Sequence, residues 1–141
     1  MSDCTFQALS KLTGDTVSSL KKYFSYGIMK LPDGSDRPPG IHRVMDYLMS
    51  VGVSLTPIMR VPTLVVIDET VHEYTPEEAE ERWILYTNNY HGLLMGQRRG
   101  VGHMVYLDHG LITDRDEQYD ISECEKHLFI PDTFMVATWQ A

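Results

Sequence analysis

Two cysteines in 141 residues are too few for a disulfide framework. Cys4 and Cys124 are expected as reduced thiols in a cytosolic setting, although spacing alone leaves one Cys4–Cys124 bridge open. No run approaches the roughly 18 apolar residues of a membrane span. The N-terminus also lacks the basic-then-apolar layout of a secretion signal. These absences lead to an expected cytoplasmic location with no membrane partner. Cationic charge is scarce as well. Twelve Lys and Arg face twenty Asp and Glu, for a net charge of −8. Binding to a nucleic acid backbone needs clustered cations. Here Lys21-Lys22 reads as a solvated helix face, and Arg98-Arg99 is the other pair. Nucleic acid is therefore not expected as a partner. Internal repeats and low-complexity tracts are absent too.

What is present is an ordinary globular composition, 43% hydrophobic and 10% aromatic. That is enough apolar material for one core, so one domain over residues 1–141 is expected. Phe6, Leu9 and Leu12, with Ala8 beside them, give an apolar face to a helix from Cys4 to Thr13, stopped by Gly14. Asp15 can cap a second helix from about Thr16 to Tyr26, with Val17, Leu20, Tyr23 and Phe24 as its face. Leu31 to Gly40 is dense in turn residues and reads as a loop. A third helix is expected over Ile41 to Ser50, with Val44, Met45 and Leu48 inward and Gly52 as its stop.

Thr63 to Ile67 reads as a strand. Thr75-Pro76-Glu77-Glu78 is a helix-start signal, combining a cap, a first-turn proline and a capping box. That helix is expected to end near Trp83. Glu77-Glu78 and Glu80-Glu81 are its solvated face. Tyr86 to His91 then reads as a turn or a binding loop. Strands are expected over Gly92–Gln97, Met104–Leu107, Leu111–Thr113 and Thr133–Trp139. Arg98 to Gly102 and Asp108-His109-Gly110 make turns. Asp116 to Lys126 reads as polar and irregular. Helices first and a mostly antiparallel sheet after them is an α+β pattern.

The chemistry-bearing residues lie at the two ends of this order. Cys4 opens the first helix, where unpaired N–H groups and the helix dipole favour thiolate over thiol. Gly102-His103-Met104-Val105-Tyr106-Leu107-Asp108 is a strand opening on a histidine, and Asp114 closes the next. In a short antiparallel hairpin those two ends come within cross-strand reach. Cys4, His103 and Asp114 thus form a nucleophile, a general base and an orienting group. Asp116, two residues on, is the fallback for Asp114. Asp108, at the turn, is a poorer partner. His91, His103, His109 and His127 with Cys124 and Asp120 are the available metal ligands. No pair of them has zinc-motif spacing, so neither metal nor cofactor is expected.

Asp3-Cys4, Ala8-Leu9-Ser10-Lys11-Leu12-Thr13-Gly14, and Gly102-His103 through Asp108 with Gly110 and Asp114 together resemble the small papain-like cysteine peptidase domains of bacteriophage and bacterial proteins. The resemblance covers about a quarter of the residues. It implies a papain-like core with N-terminal helices packed on a C-terminal sheet. It also implies a thiol hydrolase, a peptidase or an amide or isopeptide hydrolase, with Cys4, His103 and Asp114 in the roles above. A peptide or protein would be the substrate, and a phage-encoded enzyme would act in the host cytoplasm.

In one respect the chain departs from that pattern. Such enzymes commonly place a Gln or Asn oxyanion donor just upstream of the cysteine, where this chain has Met1, Ser2 and Asp3. Ser2, the Cys4 N–H, Gln7 and Gln97 are the substitutes to consider. The alternative expectation is a catalytically weak or inactive scaffold that binds a protein, for instance a host factor.

Overall fold

A computed structural model describes residues 4–24, 39–61 and 64–139, apart from the side chain of Val65. The expected loop at Leu31 to Gly40 therefore lies outside the described residues up to position 38, as does the end of the second helix at Tyr26.

The fold is α+β. Helices α1 (Cys4–Thr13), α2 (Val17–Phe24) and α3 (Ile41–Ser50) come first. Strands β1 (Val53–Met59), β2 (Leu64–Ile67) and β3 (Thr70–Glu73) precede α4 (Pro76–Asn89). The strands β4 (His91–Arg98), β5 (Val101–Asp108), β6 (Leu111–Asp114) and β7 (Glu117–Asp120) follow. A 3-10 helix (Ile121–His127) and β8 (Phe129–Trp139) end the order. Six strands form one antiparallel sheet in the order β1-β8-β4-β5-β6-β7, and β2 and β3 pair separately.

The sheet separates two cores. On one face Phe6, Leu9 and Leu12 of α1, Leu20 and Phe24 of α2, and Val44 and Leu48 of α3 pack on Leu93, Met104 and Met135. On the other, Trp83 of α4 and Cys124 of the 3-10 helix cover Leu94, Val105, Leu107, Ile112, Phe129 and Phe134. Each fully buried Leu or Phe contributes about 2 kcal/mol. Two strand glycines permit this packing. A Cβ on Gly92 would stand 1.9 Å from the Met135 carbonyl oxygen, and one on Gly96 would stand 2.1 Å from that of Ile130. Gly96 also sits at the register shift between β4 and β8.

Local chemistry sets the boundaries. Gly14, at φ 83°, ends α1, and its N–H donates to the Ser10 carbonyl. Thr16, not Asp15, caps α2 by accepting from the Ser19 N–H at 3.0 Å. Asp15 instead accepts the Tyr47 hydroxyl. Tyr23, expected inward, is exposed and lies against the Tyr47 ring. The capping box at Thr75 and Glu78 forms as its sequence predicts.

Several elements differ from expectation or were not expected. Helix α4 continues to Asn89, because Trp83 and Thr87 extend its buried face. Asn88 and Asn89 also fold their amides back onto the Ile84 and Leu85 carbonyls. Tyr86 to Asn89 are therefore helical rather than a loop. Strand β1 holds Pro57 because it is an edge strand paired only with β8. Asp68 and Glu69, both at positive φ, make the tight turn that folds β3 onto β2. The segment from Glu117 to His127 is ordered: β7 pairs with β6, and Asp120 caps the 3-10 helix by accepting from the Ser122 N–H at 2.9 Å. Strand β8 begins at Phe129, four residues before the expected Thr133.

Candidate active site

The site lies where β5 and β6 part. Their ladder covers only Tyr106–Thr113, Leu107–Ile112 and Asp108–Leu111. Beyond it β5 stays paired to β4 but is open on its other side. The start of α1 meets this opening. Cys4, 8% exposed, is the first helical residue and packs in the same core as Met104.

His103 and Asp114 come together as expected. His103 Nε2 lies 2.7 Å from Asp114 Oδ2, and both side chains are buried. Continuing the ladder's register would set Asp116, not Asp114, opposite His103. Asp116 fails as the partner because the strand ends first. Arg115, at φ 57°, opens the turn into β7 and leaves Asp116 exposed in it. Asp108 is exposed at the far end of β5 and bonds to His109.

The rest of the ring's surroundings are equally defined. The Phe129 ring meets the His103 ring edge-on, with centroids 5.4 Å apart. Because Asp114 takes Nε2, only Nδ1 remains for Cys4. Nδ1 is buried and makes no hydrogen bond of ordinary geometry. The thiol and the ring nonetheless act on each other. Burial pushes the Cys4 thiol up, but the neighbouring His103 ring, the Met104 backbone and the positive charge of His103 outweigh it, with help from Thr5. The net result is a lowered pKa. His103 is raised to about 9, first by its bond to Asp114 and then by Cys4, against burial. For Asp114, burial raises the pKa, but the bond to His103 and the charges of His103, Arg98 and Arg115 bring it below the ordinary carboxylate value. Near pH 7 His103 is held as an imidazolium beside the Asp114 carboxylate, and that charge favours thiolate over thiol at Cys4. An unliganded site often holds such contacts long and tightens them around substrate.

Three contributors carried little signal in the sequence. Arg98 approaches Asp114 Oδ2 at 3.6 Å. Its pairing with Arg99 marked it only as a charge near the site. Phe129 lay between the stretch read as irregular and the expected final strand, where no element was expected. The Met104 backbone is invisible to sequence reasoning, because it matters only where β5 is no longer paired with β6.

Of the oxyanion substitutes, Ser2 lies outside the described residues. Gln97 lines an apolar cleft with Arg99, Gly100, Glu125, Leu128, Phe129 and Ile130. Gln7 lines a different cleft, one turn along α1 from Cys4. The N–H groups of the first turn of α1 are the donors nearest the sulfur by sequence.

The other metal candidates are dispersed. His91 bonds to the Tyr106 hydroxyl, and His127 stacks on Tyr119. Cys124 is buried and free, as is Cys4. Among the described residues no three His, Cys, Asp or Glu side chains gather as a metal site, and no helix is long and apolar enough to cross a membrane. Comparison with protein-family models, curated proteins and solved structures finds no match to this chain.

Proposed function

We propose that the chain is a papain-like cysteine hydrolase that cleaves a peptide, amide or isopeptide bond. The observation that carries this reading is the division of labour on one buried ring. His103 spends Nε2 on Asp114 and keeps a partnerless Nδ1 for a thiol of lowered pKa. Cys4 sulfur attacks the carbonyl carbon, forming a C–S bond and an oxyanion. The N–H groups at the start of α1 suit that oxyanion. As the C–N bond breaks, His103 Nδ1–H gives its proton to the leaving amine. Water then attacks the thioester, Nδ1 takes its proton, and the acid leaves with the thiolate restored. Asp114 holds the ring through Nε2 during both transfers.

Quenched-fluorescent peptide libraries and a peptidyl acyloxymethyl ketone test this. Wild type should turn over peptides and gain a Cys4 adduct, whereas Cys4→Ala should do neither. Turnover surviving in Cys4→Ala, or an adduct forming as fast in His103→Ala, would overturn the reading.

A second reading is a scaffold that binds a protein, such as a host factor, without cutting it. It is favoured by the β2–β3 hairpin, which leaves Leu64, Val66 and Val71 more than 60% exposed. Under it, Cys4→Ala keeps the full biological effect.

A further inference from the structure

A cleft of about 390 Å³ lies between α1 and the end of β6, lined by Gln7, Ser10, Lys11, Gly14, Thr113 and Arg115. Two observations tie it to the thiol. Gln7 is one helical turn from Cys4, and Thr113 and Arg115 flank Asp114 in the chain. The cleft therefore begins beside the reacting atoms and runs away from them along α1. At about 1.5 Å per helical residue, Lys11 stands roughly 10 Å along the axis from Cys4. That matches about three residues of an extended peptide.

The charge of this cleft opposes that of the chain. The molecule carries −8 overall, yet the cleft's two ionic residues are both cations and none of its lining is acidic. Lys11 and Arg115 are exposed, and neither forms an ion pair among the described residues. The nearby Asp15 carboxylate is held by the Tyr47 hydroxyl. Thr113 adds a hydroxyl and Gln7 an amide. Two cations with neutral donors between them suit a carboxylate, which accepts several hydrogen bonds at once.

We infer that this cleft is a specificity subsite for a carboxylate on the peptide substrate, about three residues from the bond that Cys4 attacks. The inference rests on the hydrolase reading. The carboxylate comes from an acidic side chain or from a peptide's own C-terminus.

The test has two arms. In the first, matched acyloxymethyl ketone peptides carry Asp, Asn or Lys three residues from the reactive group. Cys4 should be alkylated about tenfold faster by the Asp probe than by the Asn probe, with Lys slowest. In Lys11→Ala/Arg115→Ala the Asp-to-Asn ratio should fall to about one. Equal rates for the three probes, or a ratio unchanged in the double variant, overturn the subsite.

The second arm does not need the thiol. Cys4→Ala protein is titrated with acetylated tetrapeptides and followed by backbone amide shifts. An Asp peptide amide should move the Lys11, Gly14, Thr113 and Arg115 signals, and its Asn counterpart should not. An Asn tetrapeptide with a free C-terminus should move them only if the main-chain carboxylate is the source. Shifts in this arm without labelling in the first sink the hydrolase reading and keep the anion site. No shift with either carboxylate sinks the site.

Discussion

Cys4 and Cys124 occupy opposite faces of one sheet and are buried to the same degree, 8% and 7% exposed. Their thiols are nonetheless driven in opposite directions. Burial alone penalises a thiolate, and Cys124 shows it. Desolvation raises its pKa to about 11, with Asp120 adding to the rise and Arg60 opposing it. Cys4 suffers the same penalty, but His103, the Met104 backbone and Thr5 overturn it. The difference between an inert and a poised sulfur here is a ring already committed to a carboxylate on its other nitrogen. Cys124 sits in the apolar core of α4 and the 3-10 helix, where no imidazole shifts it.

The largest test of that contrast removes the ring. His103→Ala should erase most of the reactivity gap between the two cysteines and lower peptide turnover by on the order of a thousandfold. Alkylation rates resolved by peptide mapping report the first effect, and turnover reports the second.

A smaller effect should appear in the pH dependence of stability. His103 has a folded pKa raised from 6.5 to about 9. Its contribution is full below pH 6.5 and lost as pH rises through about 9. Cys4 has a folded pKa lowered from 9.0. Its contribution is present above pH 9 and lost as pH falls through that lowered value. Between these limits the folded state keeps a proton on His103, and the unfolded state keeps one on the cysteine. Above both 6.5 and the lowered Cys4 value the two proton counts cancel, so wild-type stability should be nearly flat with pH from there to about 9. In Cys4→Ser the cancelling thiol is gone while Asp114 still raises His103. Denaturant unfolding of that variant should show stability falling with pH above 6.5, by at most about 1.4 kcal/mol per pH unit. A flat profile in both proteins would mean that the ring is not held protonated.

The smallest effect belongs to Cys124→Ser. It should leave turnover within about twofold of wild type. It should cost on the order of 1–3 kcal/mol in chemical denaturation, the penalty for a hydroxyl left unpaired in an apolar core.

Much of this was legible in the residues. Gly14 and the capping box at Thr75 fixed helix boundaries through chemistry confined to a few neighbours, and the structure reproduces them. That His103 meets the end of β6 was also readable, because a two-residue turn at His109 and Gly110 dictates which strand ends approach. The choice between Asp114 and Asp116 was not. It depends on where β6 stops, and the turn opened by Arg115 at positive φ decides that. Strand β1 was hidden by Pro57, tolerable only at an edge that sequence cannot identify. The continuation of α4 through Asn88 and Asn89 was hidden in the same way. Asparagine reads as a turn former, and only the packed Trp83 and Thr87 outweigh it.

The central claim is that Cys4 is ionised by His103 while still buried. The most direct measurement is the pH profile of Cys4 alkylation by iodoacetamide in a Cys124→Ser background. A rate rising through a midpoint below 9, and moving above 9 in His103→Ala, is the predicted result. A midpoint at or above 9 in the parent, unmoved by loss of the ring, would contradict it.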